Sequence, residues 1–331
     1  MMRKVAFIGT GGTISSIGKG PLDLLDYTAN GKMLHAEEII AAVPALAEVA
    51  EIDVVKFRNI PSTAIGFPEW KELVQLCDKL VRETPDLAGI VIGHGTASLE
   101  ETAYFLNLTI KVPIPVVVVG SQRPLSGLAS DAAMNLVAAV RAAASPASVG
   151  RGVLVVLNDE IQAARDVTKT STFRLQTFRT PDFGILGSVD GEHVRYYRRA
   201  ERRSAPDTEF DVAKLDALPR VDISYSYAGS DGAAIRAFAA AGAKGVVLAA
   251  FAPGMTTPGE QNAIEEVRAK GVTVIASTRA GSGVALDPAR LRALGVLSAD
   301  NLNPQKARIL LALALSQSED PAELRRIFAT Y

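Results

Sequence analysis

Short apolar runs alternate with longer stretches of helical spacing along almost the whole chain. That rhythm restricts the fold more than any other feature. The runs at residues 5–8, 51–57, 89–92, 116–119 and 153–157 have the length of buried strands. Between them, residues 35–50, 68–83, 98–106 and 130–144 carry helical spacing, and Pro68 stands where a helix favours proline. Parallel neighbours need a crossover, so a β-then-α order implies a mostly parallel sheet with helices on its faces. The rhythm restarts beyond residue 219, with strands at 221–225, 245–251 and 272–276 and helices at 232–241, 258–270 and 304–316. The expected fold is α/β: a larger N-terminal domain over 1–190 with a mostly parallel sheet flanked by helices, a linker over 191–218, and a smaller α/β C-terminal domain over 219–331. Two domains also suit 331 residues at about 150 residues per domain.

Charge and cysteine content remove several function classes. Lys plus Arg is 35 and Asp plus Glu is 36, giving a net charge of -1. A general nucleic-acid binder carries a basic excess, so no nucleic-acid partner is expected. Five arginines fall between Arg195 and Arg203. They read as a solvated linker or a subunit contact, with an anion contact the weaker alternative. One cysteine, Cys77, forms no intrachain disulfide, and three scattered histidines without close pairing offer no Cys/His zinc site, so no metal or cofactor is expected. No apolar run reaches the length of a membrane span. The start, Met1-Met2-Arg3-Lys4, imitates a signal peptide, but the apolar stretch after it is short and ends at Gly9. The expected compartment is the cytoplasm.

In open α/β sheets, ligands bind at the carboxyl ends of the strands. Three post-strand segments there carry chemistry. Gly9-Thr10-Gly11-Gly12-Thr13 lacks the third glycine of a dinucleotide loop, because position 14 is Ile14, and lacks a P-loop ending. A glycine loop ending in Thr13 suits a hydroxyl nucleophile beside backbone N–H donors. His94-Gly95-Thr96 follows another strand and precedes a helix with Glu100 and Glu101. Taken alone, Thr96 reads as a helix N-cap or as a second reactive hydroxyl, and His94 as structural. Asp166-Val167-Thr168-Lys169-Thr170 holds a lysine that is a surface charge or, desolvated in a cleft, a base.

Together these segments resemble the bacterial-type asparaginase family, the asparaginase/glutaminase amidohydrolases. The resemblance runs from Val5 to Tyr331. It includes the Thr13 loop, the stretch from His94 through Leu106, residues 120–124 followed by Ser130-Asp131 and Asn135-Leu136, residues 165–170, Phe210-Asp211-Val212, and Leu302-Asn303-Pro304-Gln305-Lys306-Ala307-Arg308. It implies cofactor-free hydrolysis of a small-molecule carboxamide to carboxylate plus ammonia through a Thr13 acyl-enzyme, with L-asparagine the default substrate. It also implies that Tyr27 helps activate Thr13, and that Thr96 and Lys169 form a second catalytic pair. The N–H groups near Gly12, Thr13 and Thr96 would hold the oxyanion, and Ser62 would bind a substrate carboxylate, with Thr63, Ala97 and Ser98 beside it. It further implies homotetramers, dimers of dimers, with active sites at the intimate dimer interface. Gly18, Gly20 and Pro21 suggest a mobile lid over residues 18–27.

The chain also departs from the family's pattern. The usual His-Gly-Thr-Asp-Thr reads His94-Gly95-Thr96-Ala97-Ser98, which removes a carboxylate that contacts the substrate's α-ammonium. Thr63 stands where a glutamine is common, Pro253 where an asparagine is expected from a neighbouring subunit, and residues 281–290 contain no glutamate in register. These losses point to an alternative: an amide or imide hydrolase whose substrate lacks the α-ammonium. A non-catalytic ligand-binding relative and the amide-hydrolysing subunit of a tRNA-dependent amidotransferase are competing readings. The retained Thr13, Tyr27, Thr96 and Lys169 oppose the first, and a chain starting at its first strand opposes the second.

Overall fold

Five parallel strands stand side by side in the order Glu51–Val55, Lys4–Gly9, Leu87–Gly93, Val116–Val119 and Val153–Leu157. Strands of almost unbroken valine, isoleucine and leucine are suited to a sheet covered on both faces. Val5, Phe7, Val91, Val117, Val119, Leu154 and Val156 share a core with the helix Ala132–Ala144. The helices Phe67–Glu83 and Leu99–Thr109 also pack on the sheet, and Trp70 of the first stacks on Phe105 of the second at 4.8 Å. The computed structural model describes residues 2–331, and it divides into two compact units, Met1–Glu209 and Phe210–Tyr331.

The first unit extends its sheet with three antiparallel strands, Glu160–Ala163, Gly187–Asp190 and His193–Tyr196, which makes eight in all. Asn158 and Asp159 turn the chain back with φ of 53° and 61°, the two positive values that a tight two-residue hairpin needs. The segment expected as a linker over 191–218 therefore begins inside the sheet, and the division between units falls at Glu209. The arginines of this stretch are partly engaged: Arg199 donates to the Gly150 carbonyl at 3.0 Å, and the Arg198 carbonyl accepts from Arg151 at 3.1 Å. The expected helix over 35–50 is two pieces, Ala36–Ala41 and the 3-10 segment Pro44–Glu48. Pro44 causes the break, because it has no N–H and its ring clashes with the preceding turn.

The second unit is a parallel sheet of Val221–Tyr225, Gly245–Ala250, Thr273–Thr278 and Leu297–Ser298, in that order. Its helices include Ala233–Ala240, Pro258–Arg268 and Pro304–Leu315. A last helix, Pro321–Thr330, starts at Asp320, whose carboxylate accepts from the Ala322 N–H at 3.0 Å. Pro253 lies in the turn after Gly245–Ala250, where its carbonyl accepts from the Leu286 N–H at 2.7 Å. Among the described residues, no helix is long and apolar enough to cross a membrane.

Candidate active site

Strand register brings the sequence motifs together. Gly9 pairs with Gly93, and Gly93 with Val119, so the segments that follow these three strands leave the same edge of the sheet. Thr10 locks two of them, donating from both its N–H (2.9 Å) and its hydroxyl (3.0 Å) to the Gly93 carbonyl. A Cβ added to Gly12 would lie 2.1 Å from the Gly95 Cα, and one added to Gly95 would lie 2.7 Å from Ser62 Oγ. Gly12 also has φ of 90°, which L side chains rarely adopt. The turns carrying Thr13, Thr96 and Ser62 are therefore pressed together, and two glycines make that approach sterically possible.

Thr13 opens the 3-10 turn Thr13–Ser15, and its Oγ1 lies 2.9 Å from Tyr27 Oη. The Gly12 carbonyl accepts from Ser15 Oγ (2.7 Å), Ser16 Oγ (2.9 Å) and the Ser15 N–H (3.1 Å). In a trans peptide the N–H points opposite to the carbonyl. Three donors on one side thus aim the Thr13 N–H away from the turn, as a fixed donor. Tyr27 begins the short helix Tyr27–Asn30, which a ladder pairing Ser16 with Met33 and Ile17 with Lys32 closes at its base. In the segment read as a mobile lid, Gly18 N–H donates to Ser126 Oγ, and Leu128 N–H to the Pro21 carbonyl, both at 2.8 Å.

Lys169 Nζ donates to Thr96 Oγ1 at 2.9 Å. The lysine sits on the two-residue strand Thr168–Lys169, which pairs with Phe178–Arg179. Burial pushes its pKa below the usual lysine value, and the Glu100 carboxylate opposes that shift. Thr96 is buried and is not a helix cap: the helix Leu99–Thr109 has Ser98 at its N-cap. The Ser98 hydroxyl instead donates to the Ser62 carbonyl at 2.6 Å, joining two loops of the cleft. Ser62 is buried, whereas Thr63 and Ala97 are exposed.

His94 is fully buried, and both of its ring nitrogens are engaged within the protein. Its Nε2 lies 2.9 Å from Thr102 Oγ1, which accepts from the Trp70 indole at 2.8 Å. A carbonyl only accepts, so Nδ1–H donates to the Gly95 carbonyl at 2.8 Å, and Nε2 of the neutral ring accepts the Thr102 proton. Burial pushes the His94 pKa down to about 4. Asp131 fixes the neighbouring loop by accepting from the N–H groups of Gln122 and Arg123, each at 2.9 Å. Glu100, which its sequence position alone did not mark as part of a site, is buried behind Lys169. Among the described residues, no group of three or more His, Cys, Asp or Glu side chains is placed to hold a metal ion.

The chain is similar to known proteins over nearly its whole length. Residues 4–202 match the family model "Asparaginase, N-terminal", and residues 220–328 match "Glutaminase/Asparaginase C-terminal domain". L-asparaginase 2 of Bacillus subtilis is 38% identical over 327 residues, spanning 99% of this chain and 86% of the relative. Glutaminase-asparaginase of Pseudomonas fluorescens is 37% identical, spanning 100% of this chain and 91% of the relative. The crystal structure of a probable cytoplasmic L-asparaginase from Campylobacter jejuni superposes with a TM-score of 0.94 at 37% identity, spanning 99% of this chain and 100% of that one.

Proposed function

The chain belongs to the asparaginase family of amidohydrolases, and we propose that it hydrolyses the side-chain amide of L-asparagine by way of a Thr13 ester. Thr13 Oγ1 attacks the amide carbonyl as its proton passes toward Tyr27. The carbonyl oxygen, now an oxyanion, accepts from the N–H groups of Gly12, Thr13 and Thr96. Collapse breaks the C–N bond, and the nitrogen leaves as ammonia carrying the proton that Thr13 gave up and the Tyr27 hydroxyl relayed. A water molecule, its proton taken by the Thr96–Lys169 pair, then attacks the ester carbonyl; the C–O bond to Thr13 breaks, and a proton returned to Oγ1 restores the hydroxyl. The observation that carries this reading is the 2.9 Å contact between Lys169 Nζ and Thr96 Oγ1. That half-buried amine has a lowered pKa and sits beside a turn in contact with the Thr13 turn.

A second reading rests on Ala97 and Thr63. Both are exposed and neither carries a charge to accept an α-ammonium. A hydrogen bond to a charged group is worth about 1.5–3 kcal/mol. Losing such bonds favours a substrate with a carboxylate for Ser62 but no amino group. Ammonia release from L-asparagine and from succinamate, which is asparagine without its α-amino group, separates the two readings. Faster turnover of asparagine supports the first, and faster turnover of succinamate the second. Turnover of neither, with Thr13 also inert to an acylating probe, contradicts both and leaves a binding protein. We also assign the chain to a homotetramer of intimate dimers. Gel filtration at about four times 34.9 kDa supports that assembly, and elution as a monomer contradicts it.

A further inference from the structure

A buried carboxylate faces Lys169 from a helix that the proposed reaction does not otherwise use. Glu100 lies in the first turn of Leu99–Thr109 and is 7% exposed. Its Oε1 accepts from the Lys169 backbone N–H at 3.3 Å and from Thr168 Oγ1 at 3.2 Å. Those two residues are the whole of the strand paired with Phe178–Arg179. One carboxylate oxygen thus anchors the short segment from which Nζ reaches Thr96. Ala97, the residue after Thr96, has no charge to offer the ammonium.

Other charged groups on the surrounding elements are placed differently. Glu101 follows Glu100 on the helix and is only partly buried. Arg165 and Asp166, just before the strand, pair with each other at 3.0 Å. Arg179 stands across the ladder from Thr168, and its guanidinium donates to the backbone carbonyl and side chain of Gln176. Glu100 alone among them shifts the titration of Lys169.

We propose that Glu100 is a positioning residue of the Thr96–Lys169 pair. It fixes the reach of Nζ through Thr168 and the Lys169 N–H, and it supplies the negative charge facing the lysine that Ala97 cannot. The inference rests on the proposed role of that pair in proton transfer. A nearby carboxylate favours the charged ammonium, so removing its charge makes the neutral amine available at lower pH.

The test is the pH profile of kcat/KM for ammonia release by the full chain, with whichever of asparagine or succinamate it turns over. Glu100→Gln removes the charge and keeps one oxygen able to accept the hydrogen bonds from Thr168 Oγ1 and the Lys169 N–H. Its acidic limb is expected to move down by about one pH unit. Glu100→Asp keeps a charge set farther back, so its limb moves in the same direction by less. A Glu100→Gln limb coincident with wild type, while Lys169→Met is inactive, overturns this inference and leaves the pair standing. Full activity in Lys169→Met overturns the pair and this inference with it. If Glu100→Gln does not fold, Glu100→Asp decides: a displaced limb supports the inference, and an unmoved limb overturns it.

Discussion

Lys169 Nζ and Thr96 Oγ1 meet at 2.9 Å across 73 residues of chain. A contact of that separation exists because two strand ends are fixed. Thr96 follows Leu87–Gly93, in the parallel part of the sheet. Lys169 follows the antiparallel hairpin of Val153–Leu157 and Glu160–Ala163. The pair has a half-buried amine whose pKa burial lowers, and a hydroxyl to relay a proton.

Lys169→Met keeps much of the side-chain volume and removes the amine. Proton transfer by a positioned group contributes about 10²–10⁴-fold. We expect kcat to fall within that range while the chain still folds, with a melting temperature at or below wild type because the buried Glu100 carboxylate loses the positive charge it faces. Steady-state kinetics beside a thermal melt checks both parts.

Activity should rise with pH through an acidic limb set by Lys169. The neutral amine is the base, and its fraction grows as pH rises. Burial lowers the pKa in the folded chain, so the limb lies below the ordinary lysine range. A limb that survives Lys169→Met belongs to another group and contradicts the assignment.

Tyr27→Phe deletes the hydroxyl 2.9 Å from Thr13 Oγ1. We expect kcat to drop by about 10²-fold, the lower end of acid–base contributions, with a smaller change in KM. A variant with unchanged kcat places Tyr27 outside proton transfer.

Much of this arrangement was legible in the sequence, for physical reasons. Residues 116–119 are four valines, a short β-branched run of the length and composition of a buried strand. The Gly12 loop and Gly95 each sit directly after a strand, so their shared sheet edge followed from parallel order. What the sequence reading missed depends on less regular signals. The hairpin at Asn158-Asp159 needs two positive φ values, a turn signal that the βα rhythm obscured. Pro44 divides a stretch whose apolar spacing alone reads as one helix. The helix Pro321–Thr330 was signalled by Asp320 followed by Pro321, a cap and a first-turn proline. Nothing in the sequence separates Glu100 from Glu101 at the start of their helix, and only the fold of residues 168–169 over Glu100 does so.

His94 links stability to pH. Its pKa is about 4 in the fold against 6.5 for the free side chain. The unfolded chain therefore takes up a proton that the fold refuses. Stability from this group is complete above pH 6.5 and declines as pH falls from there toward 4. That difference corresponds to a loss on the order of 3 kcal/mol. Urea unfolding at pH 7.5 and pH 4.5 measures it, and His94→Gln should flatten part of the slope. A slope identical in the variant contradicts the assignment.

Gly12→Ala should cripple the site. The added methyl meets the Gly95 Cα at 2.1 Å, and φ of 90° is strained for alanine. We expect loss of ammonia release by at least about tenfold together with a lower melting temperature. Wild-type behaviour in both would mean that the two turns are not pressed together.

The central claim is that Thr13 is the nucleophile, and the most direct test is intact-protein mass spectrometry of enzyme quenched during turnover, paired with ammonia release by Thr13→Ala. We expect a covalent acyl adduct that maps to Thr13 in the wild type. The variant should show no adduct and no ammonia release above blank, yet keep a wild-type melt. Wild-type ammonia release by Thr13→Ala, or an adduct on another residue, would contradict the account.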